Sequence, residues 1–323
     1  MQAVTELYSR LVGPRQALGN NSAFAGLLRR LSQTPLGYED GELLDECLEI
    51  LPLDRFYSEA EANAQNDESW GLQDHVVRSM MKWFKEEFFE WVNAPKCSVC
   101  SSATTPMGAT TATAEERRDG AGNVELYKCQ GCGRFERFPR YGKLRTLLKS
   151  RRGRCGEWAQ CFGLLCRALG SRVRWIWNRE DHVWTEVYSE KQARWIHLDS
   201  CENAWDQPTL YEEGWGKRMS YAIAFSSTGA VDVSARYIRN RDKALARDQI
   251  SEASLVSTLA EITTDLRAAV PEDERKVLME MDAKEQVELL NYGLFKETTT
   301  AVGPRESGSA EWKHSRGEDG SSR

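Results

Sequence analysis

Cys155, His182 and Asp199 carry the parts of a nucleophilic hydrolase: a thiol, an imidazole 27 residues later, and a carboxylate 17 residues beyond that. A cysteine attacks well only as a thiolate, so it needs a proton acceptor, and that acceptor needs a group to fix its tautomer. From Cys155 the apolar positions Trp158, Phe162, Leu165, Cys166 and Leu169 recur at three to four residues and stop before Gly170. This spacing predicts an amphipathic helix with a glycine just past its end. Cys155 then sits at a helix N-terminus, where the helix dipole favours the thiolate, and Arg151, Arg152 and Arg154 are expected to add to that effect. Two strand-like runs follow. In His182 to Tyr188, alternation puts His182, Trp184 and Glu186 on one face and Val183 and Val187 on the other. In Trp195 to Asp199, residues Trp195, His197 and Asp199 share a face while Ile196 and Leu198 turn inward. If these strands pair, His182 and Asp199 lie side by side at the helix end. His197 is a rival base, but two residues from the acid it reads better as packing or support; Cys47, Cys161, Cys166 and Cys201 read as small core hydrophobes.

The second signal is Cys97-Ser98-Val99-Cys100 together with Cys129-Gln130-Gly131-Cys132-Gly133. Each pair can aim two thiolates at one point, and two pairs complete a tetrahedral four-cysteine site for Zn2+, structural because it leaves no open position for water. Residues 101 to 122 between the pairs are rich in Ala, Thr and Gly and read as a long loop of low closure cost. Disulfides are the alternative use of these cysteines. Nine cysteines in a chain without a secretory signal argue against them.

The elements that must position these groups are legible in the composition. The chain has 323 residues, 41% hydrophobic and 28% charged, enough for a sizeable core in one large or two smaller domains. A net charge of −6 argues against generic nucleic-acid binding. Ten Lys or Arg between Lys128 and Arg154 against a single acid, Glu136, read as a solvated basic face beside the site. Neither a signal peptide nor a run long enough to span a membrane is expected. The stripe Val77, Met80, Met81, Phe84, Phe88 and Trp91 predicts a helix ending before Pro95. Five regions result: an N-terminal helical region 1–93, a zinc-knuckle subdomain 94–140, a catalytic core 141–240 with a further strand at 172–178, C-terminal helices 241–297 broken at Pro271, and a disordered tail 298–323 rich in Gly, Ser, Thr and charge.

With these residues in view, the sequence resembles the cytoplasmic peptide:N-glycanases of the transglutaminase-like superfamily. The likeness runs from about Phe84 to Asn240. It is carried by the paired CxxC knuckles, Gly-Arg-Cys-Gly-Glu-Trp-Ala, Asp-His-Val-Trp-Thr-Glu-Val-Tyr, Trp-Ile-His-Leu-Asp-Ser-Cys-Glu and Tyr-Glu-Glu-Gly-Trp-Gly. The resemblance implies an α+β fold: a transglutaminase-like (papain-like) core with an antiparallel sheet, a four-cysteine zinc subdomain and flanking helices. It implies Cys155, His182 and Asp199 as the triad and Trp195, Glu202 and Trp215 at the sugar-binding cleft, with Trp184 and Glu186 in the same motif. The implied reaction cleaves the glycan–asparagine amide bond of misfolded N-glycoproteins through a cysteine thioester, in the cytoplasm and also the nucleus. A ubiquitin-binding proteasome shuttle protein is an expected partner of the terminal helices; no nucleic acid or membrane is expected. A transglutaminase or cysteine protease would use the same three residues, and a non-catalytic binding module the same fold.

Overall fold

The computed structural model describes residues 23–292 and 302–320. Its centre is a six-stranded antiparallel sheet whose strand order is not the sequence order. Eleven strands occur among the described residues: β1 Glu90–Trp91, β2 Thr104–Thr110, β3 Ala121–Cys129, β4 Phe135–Tyr141, β5 Arg152–Gly153, β6 Val173–Asn178, β7 His182–Ser189, β8 Arg194–Asp199, β9 Ala204–Trp205, β10 Ala222–Ser226 and β11 Gly229–Asp232. The central sheet runs β11-β10-β6-β7-β8-β9, the sheet β2-β3-β4 is separate and antiparallel, and β1 pairs with β5 in parallel.

Alternation along the strands gives the central sheet two apolar faces. On one face Val173, Trp175, Val187, Ile196, Leu198, Ile223 and Phe225 join the larger core. That core also takes in Trp158, Phe162 and Leu165 of the helix Cys155–Ala168. The amino-terminal helices Ala23–Leu31, Gly41–Ile50, Leu53–Ala64 and Leu72–Trp83 feed it as well. On the other face Ile176, Trp184, Ala222 and Ala224 meet Tyr211, Trp215 and Tyr237, with Leu289 from the helix Glu272–Asn291. Both faces are covered, so polar side chains on the strands must find partners inside the protein.

Four expectations change. The helix expected to run to Asn93 stops at Trp83; a wide turn of π type covers Phe84–Phe88 and Trp91 lies in β1, because it pairs Trp91 with Gly153 beside the Cys155 helix. Residues 101–122 are not a loose loop: they contain β2, paired with β3, and the helical turn Ala114–Arg118, capped by Thr113 Oγ1 accepting from the Glu116 amide at 3.1 Å. The basic run from Lys128 to Arg154 is solvated at Lys128, Arg134, Lys143, Arg145, Lys149, Arg151 and Arg152, but its three partly buried arginines are tied into ion pairs. Arg137 pairs with Glu116, Arg140 with Glu125 and Glu157, and Arg154 with Glu125. Finally, residues 302–320 are not a disordered tail. Arg305 is 1% exposed and Glu318 0%, and the turn of helix Ala310–Ser315 is capped by Ser309. Gly, Ser and charge signal disorder only when nothing pairs the charges, and here Glu318 meets Arg305, Arg316 and Lys217.

Candidate active site

Cys155 is the first residue of its helix, and a capping box forms that end: the Glu157 carboxylate accepts from the Arg154 amide at 3.0 Å. The same carboxylate is clamped by Arg140 Nε at 2.6 Å and Nη2 at 2.7 Å. Gly153 permits the turn into the helix, since a Cβ there would lie 2.4 Å from the Glu157 Cβ. The amides of the first turn have no carbonyl partner inside the helix and are the natural donors to an oxyanion forming at Cys155. The arginines before Cys155 do not serve it as expected. Arg154 turns to Glu125 and to the carbonyls of Val92 and Asn93, Arg151 lies 4.4 Å over the Phe88 ring, and Arg152 is exposed.

His182 opens β7, which packs against the Cys155 helix; Thr185 Oγ1 donates to the Ala159 carbonyl at 3.4 Å. The β7–β8 register pairs Thr185 with Leu198, so Asp199 falls on the diagonal from His182. The side chains close that diagonal: His182 Nε2 donates to Asp199 Oδ2 at 2.8 Å, both residues 1% exposed. His182 Nδ1 is buried without a hydrogen-bond partner and is the ring nitrogen free to take a proton. Asp199 Oδ2 also accepts from Tyr211 Oη at 3.0 Å, and Oδ1 accepts from the Cys201 amide at 2.9 Å. Tyr211 Oη accepts in turn from His197 Nε2 at 2.7 Å, while His197 Nδ1 accepts from the Gln207 amide at 3.3 Å. His197 is thus two hydrogen bonds behind the acid, in a supporting position.

Burial sets the charge states. It raises the Cys155 thiol and lowers His182, and it lowers His197 to about 4, so that His197 is a neutral donor. Burial pushes the Asp199 carboxyl up, but the hydrogen bond and charge of His182 outweigh it and bring it to about 2. At rest Cys155 is a thiol and His182 a neutral imidazole, one side of which is fixed by the Asp199 carboxylate.

The transglutaminase-like superfamily matches residues 105–200, and the Rad4 transglutaminase-like domain matches residues 178–290. The chain is 45% identical over 317 residues to the peptide-N(4)-(N-acetyl-beta-glucosaminyl)asparagine amidase of Yarrowia lipolytica, covering 97% of this chain and 88% of that one. The chain belongs to this amidase family. The Saccharomyces cerevisiae amidase is 40% identical over 94% of this chain and 88% of its own length. The Homo sapiens amidase is 38% identical over 93% of this chain, but over only 47% of its own. A crystal structure of Rad4-Rad23 crosslinked to an undamaged DNA shares the fold, with a TM-score of 0.51 and 13% identity over 83% of this chain and 56% of that one.

The residues that the amidase resemblance placed in the sugar-cleft motifs are buried. Trp184 and Trp215 are 1% and 0% exposed, inside the core behind His182. Glu186 is fully buried and holds Arg236 at 2.6 Å, with Tyr237 Oη donating to it at 2.6 Å. Trp195 lies beneath the Arg174 guanidinium, 3.8 Å away. Glu202 accepts from the amides of Glu306 at 2.6 Å and Ser307 at 3.1 Å. In the described fold all five make contacts within the protein around the site. A cleft of about 820 Å³ lies alongside, lined by Phe88, Trp91, Trp158, Cys201 and Ser307 among others.

The four cysteines of the knuckles converge, all four Sγ atoms lying within 4.8 Å of one another. Cys97 and Cys132 are 3.5 Å apart, Cys100 and Cys129 3.4 Å, and the amides of Gly131 and Cys132 point at the Cys129 sulfur at 3.3 Å. Four sulfurs at such separations, one already receiving backbone donors, fit a tetrahedral metal ion. The residue that sequence reading missed is Arg305, more than a hundred residues beyond Asp199 and inside a stretch read as tail.

Proposed function

We propose that the chain is a deglycosylating amidohydrolase that cleaves the bond between an N-glycan and its asparagine through Cys155, His182 and Asp199. The observation that carries the reading is the buried His182–Asp199 hydrogen bond, with Nδ1 left free, on the strand packed against the helix that begins at Cys155. It stands on a chain whose relatives bear the amidase name over nearly its whole length.

In this mechanism His182 Nδ1 takes the Cys155 proton as the sulfur attacks the side-chain amide carbon. The oxyanion is received by first-turn amides. The imidazolium, steadied by Asp199, gives its proton to the departing glycosylamine nitrogen. That leaves an acyl thioester and an intact glycan. Water, deprotonated by His182, then hydrolyses the thioester, restoring the thiol and leaving aspartate where asparagine stood. The knuckle cysteines Cys97, Cys100, Cys129 and Cys132 hold one Zn2+ in a structural role, since the four thiolates fill its coordination. The substrate is an unfolded N-glycoprotein, because attack needs the amide carbon within about 3 to 3.5 Å of sulfur, and a folded chain does not bring backbone and sugar into one cleft. Action on misfolded glycoproteins places the protein in the cytoplasm, and also the nucleus, with a ubiquitin-binding proteasome shuttle on its terminal helices. Among the described residues no helix is long and apolar enough to cross a membrane. The five regions bounded at 93, 140, 240 and 297 stand as the proposed organisation, with the last one folded from residue 302.

The test is glycan release from one denatured glycoprotein and its native form, followed by gel shift, with Cys155→Ala as the control. The denatured form should be processed much faster, and Cys155→Ala should release nothing while keeping the parent's circular dichroism. Release by the variant would exclude the thiol mechanism.

A further inference from the structure

Residues 302–320 fold against the site through specific contacts. Arg316 donates from Nη1 to Asp181 Oδ2 and from Nη2 to the Asp181 carbonyl, each at 2.6 Å, gripping the residue just before His182. Glu202 holds the amides of Glu306 and Ser307, and the Gly320 amide donates to the Trp215 carbonyl at 3.1 Å. Within this frame Arg305 is buried among indoles. Its guanidinium lies 4.4 Å from the Trp215 ring, 4.4 Å from Trp312 and 5.5 Å from Trp91. Trp215 in turn stands 4.9 Å from the His182 ring. One Arg305 nitrogen pairs with Glu318 and Nε donates to Ser307 Oγ at 3.1 Å, but Nη2 is buried with no partner. A guanidinium is always charged, so this buried cation sits against the ring that packs on His182.

We propose that Arg305 is a positioning residue of the active site, buried beside the Trp215–His182 pair so that its charge favours the Cys155 thiolate and the anions that follow it. Residues 302–320 are then the frame that delivers the cation. The groups facing the Cys155 sulfur otherwise oppose it. Glu157 comes from its own helix, Asp181 from the turn before β7 and Asp199 from β8. Burial and the Asp181, Glu157 and Asp199 charges raise the thiol, and Arg305 works against them. The frame acts twice in the same direction: it supplies Arg305, and through Arg316 it neutralises Asp181. Arg305 thus takes the part expected of Arg151, Arg152 and Arg154.

The proposal rests on Cys155 being the nucleophile, and its test reads Cys155 chemistry directly instead of glycan release. The full-length chain is alkylated with iodoacetamide across pH, and the rate at the Cys155 peptide is followed by mass spectrometry, apart from the other eight cysteines. Arg305→Gln should raise the midpoint by about one unit, about a tenfold slower reaction at pH 7, and Arg305→Lys should recover most of it. Glu318→Gln, which keeps the cation and removes its partner, should move the midpoint the other way. A midpoint unchanged in Arg305→Gln, or Arg305→Lys shifted as far as Arg305→Gln, would overturn the proposal. If Arg305→Gln does not fold, Glu318→Gln decides, a downward shift supporting the proposal and no shift or an upward one refuting it. A parent Cys155 no more reactive than a buried core thiol would instead remove the nucleophile reading.

Discussion

Asp199 commits both carboxylate oxygens, to His182, to Tyr211 and to the Cys201 amide, and this fixes how the site answers acid. Its carboxyl is held at about 2 against an ordinary 3.8. A depressed carboxylate contributes stability that is complete above its unfolded pKa and is lost as pH falls through the folded one. Asp199→Asn should therefore lose a constant increment in urea midpoint from about pH 7 down to about pH 4.5, and the gap to the parent should shrink only below about pH 4. A gap that closed between pH 5 and 7 would contradict this arrangement. Loss of activity in mild acid belongs to His182, whose protonation burial moves below its usual 6.5. At this scale the sequence was informative where chemistry imposes types and order, as with Cys155, His182 and Asp199. At Trp184, Glu186, Trp195 and Trp215 it says less, because motif membership does not distinguish a side chain that meets substrate from one that braces its neighbour.

The helix that begins at Cys155 is anchored less by its own propensity than by the sheet β2-β3-β4. Glu125 of β3 receives Arg154 Nη1 and Nη2 at 2.8 Å and Arg140 at 3.1 Å, and Arg140 of β4 clamps Glu157 in the first helical turn. The knuckles sit at the far end of those same strands, so a metal ion joining them would also hold the register that presents Arg140. Removing it with a strong chelator should abolish glycan release and lower the thermal midpoint together, elemental analysis of the untreated protein giving about one zinc per chain. Retained activity in metal-free protein would separate the two. Gly153→Ala should act at the same joint. A Cβ 2.4 Å from Glu157 forces the cap apart, at a cost of about 1 to 3 kcal/mol in urea unfolding. Periodicity foretold this helix, β6 to β8 and the two carboxy-terminal helices Glu252–Leu266 and Glu272–Asn291. It gave no sign of β2 inside an Ala- and Thr-rich run, because a strand there is decided by pairing with β3 and not by its own pattern.

Across the whole molecule the sheet is closed from behind by distant sequence. Glu285, on the helix Glu272–Asn291, binds Arg174 of β6 at 2.6 Å and Arg236 at 2.8 Å, and Arg236 reaches Glu186 of β7 at 2.6 Å. All four are nearly or fully buried. Such a cluster confers little net stability when intact but is costly to break. Glu285→Ala leaves two buried guanidinium groups short of a partner and should cost about 3 to 5 kcal/mol, read as a fall in urea midpoint. Methionine at 174 and 236 in the same background should recover part of the loss by removing both unpaired charges. No local signal announces contacts over a hundred residues, which is why this closure and the frame at 302–320 escaped a reading that proceeds by windows. The position of that frame has a practical side. Gly320 is hydrogen-bonded to Trp215, whose ring packs on His182, so this end of the frame is tied to the reaction centre. A carbohydrate-binding module fused downstream by a short flexible linker would hold captured glycans there at millimolar effective concentration, and its tether length would set turnover on dilute substrate.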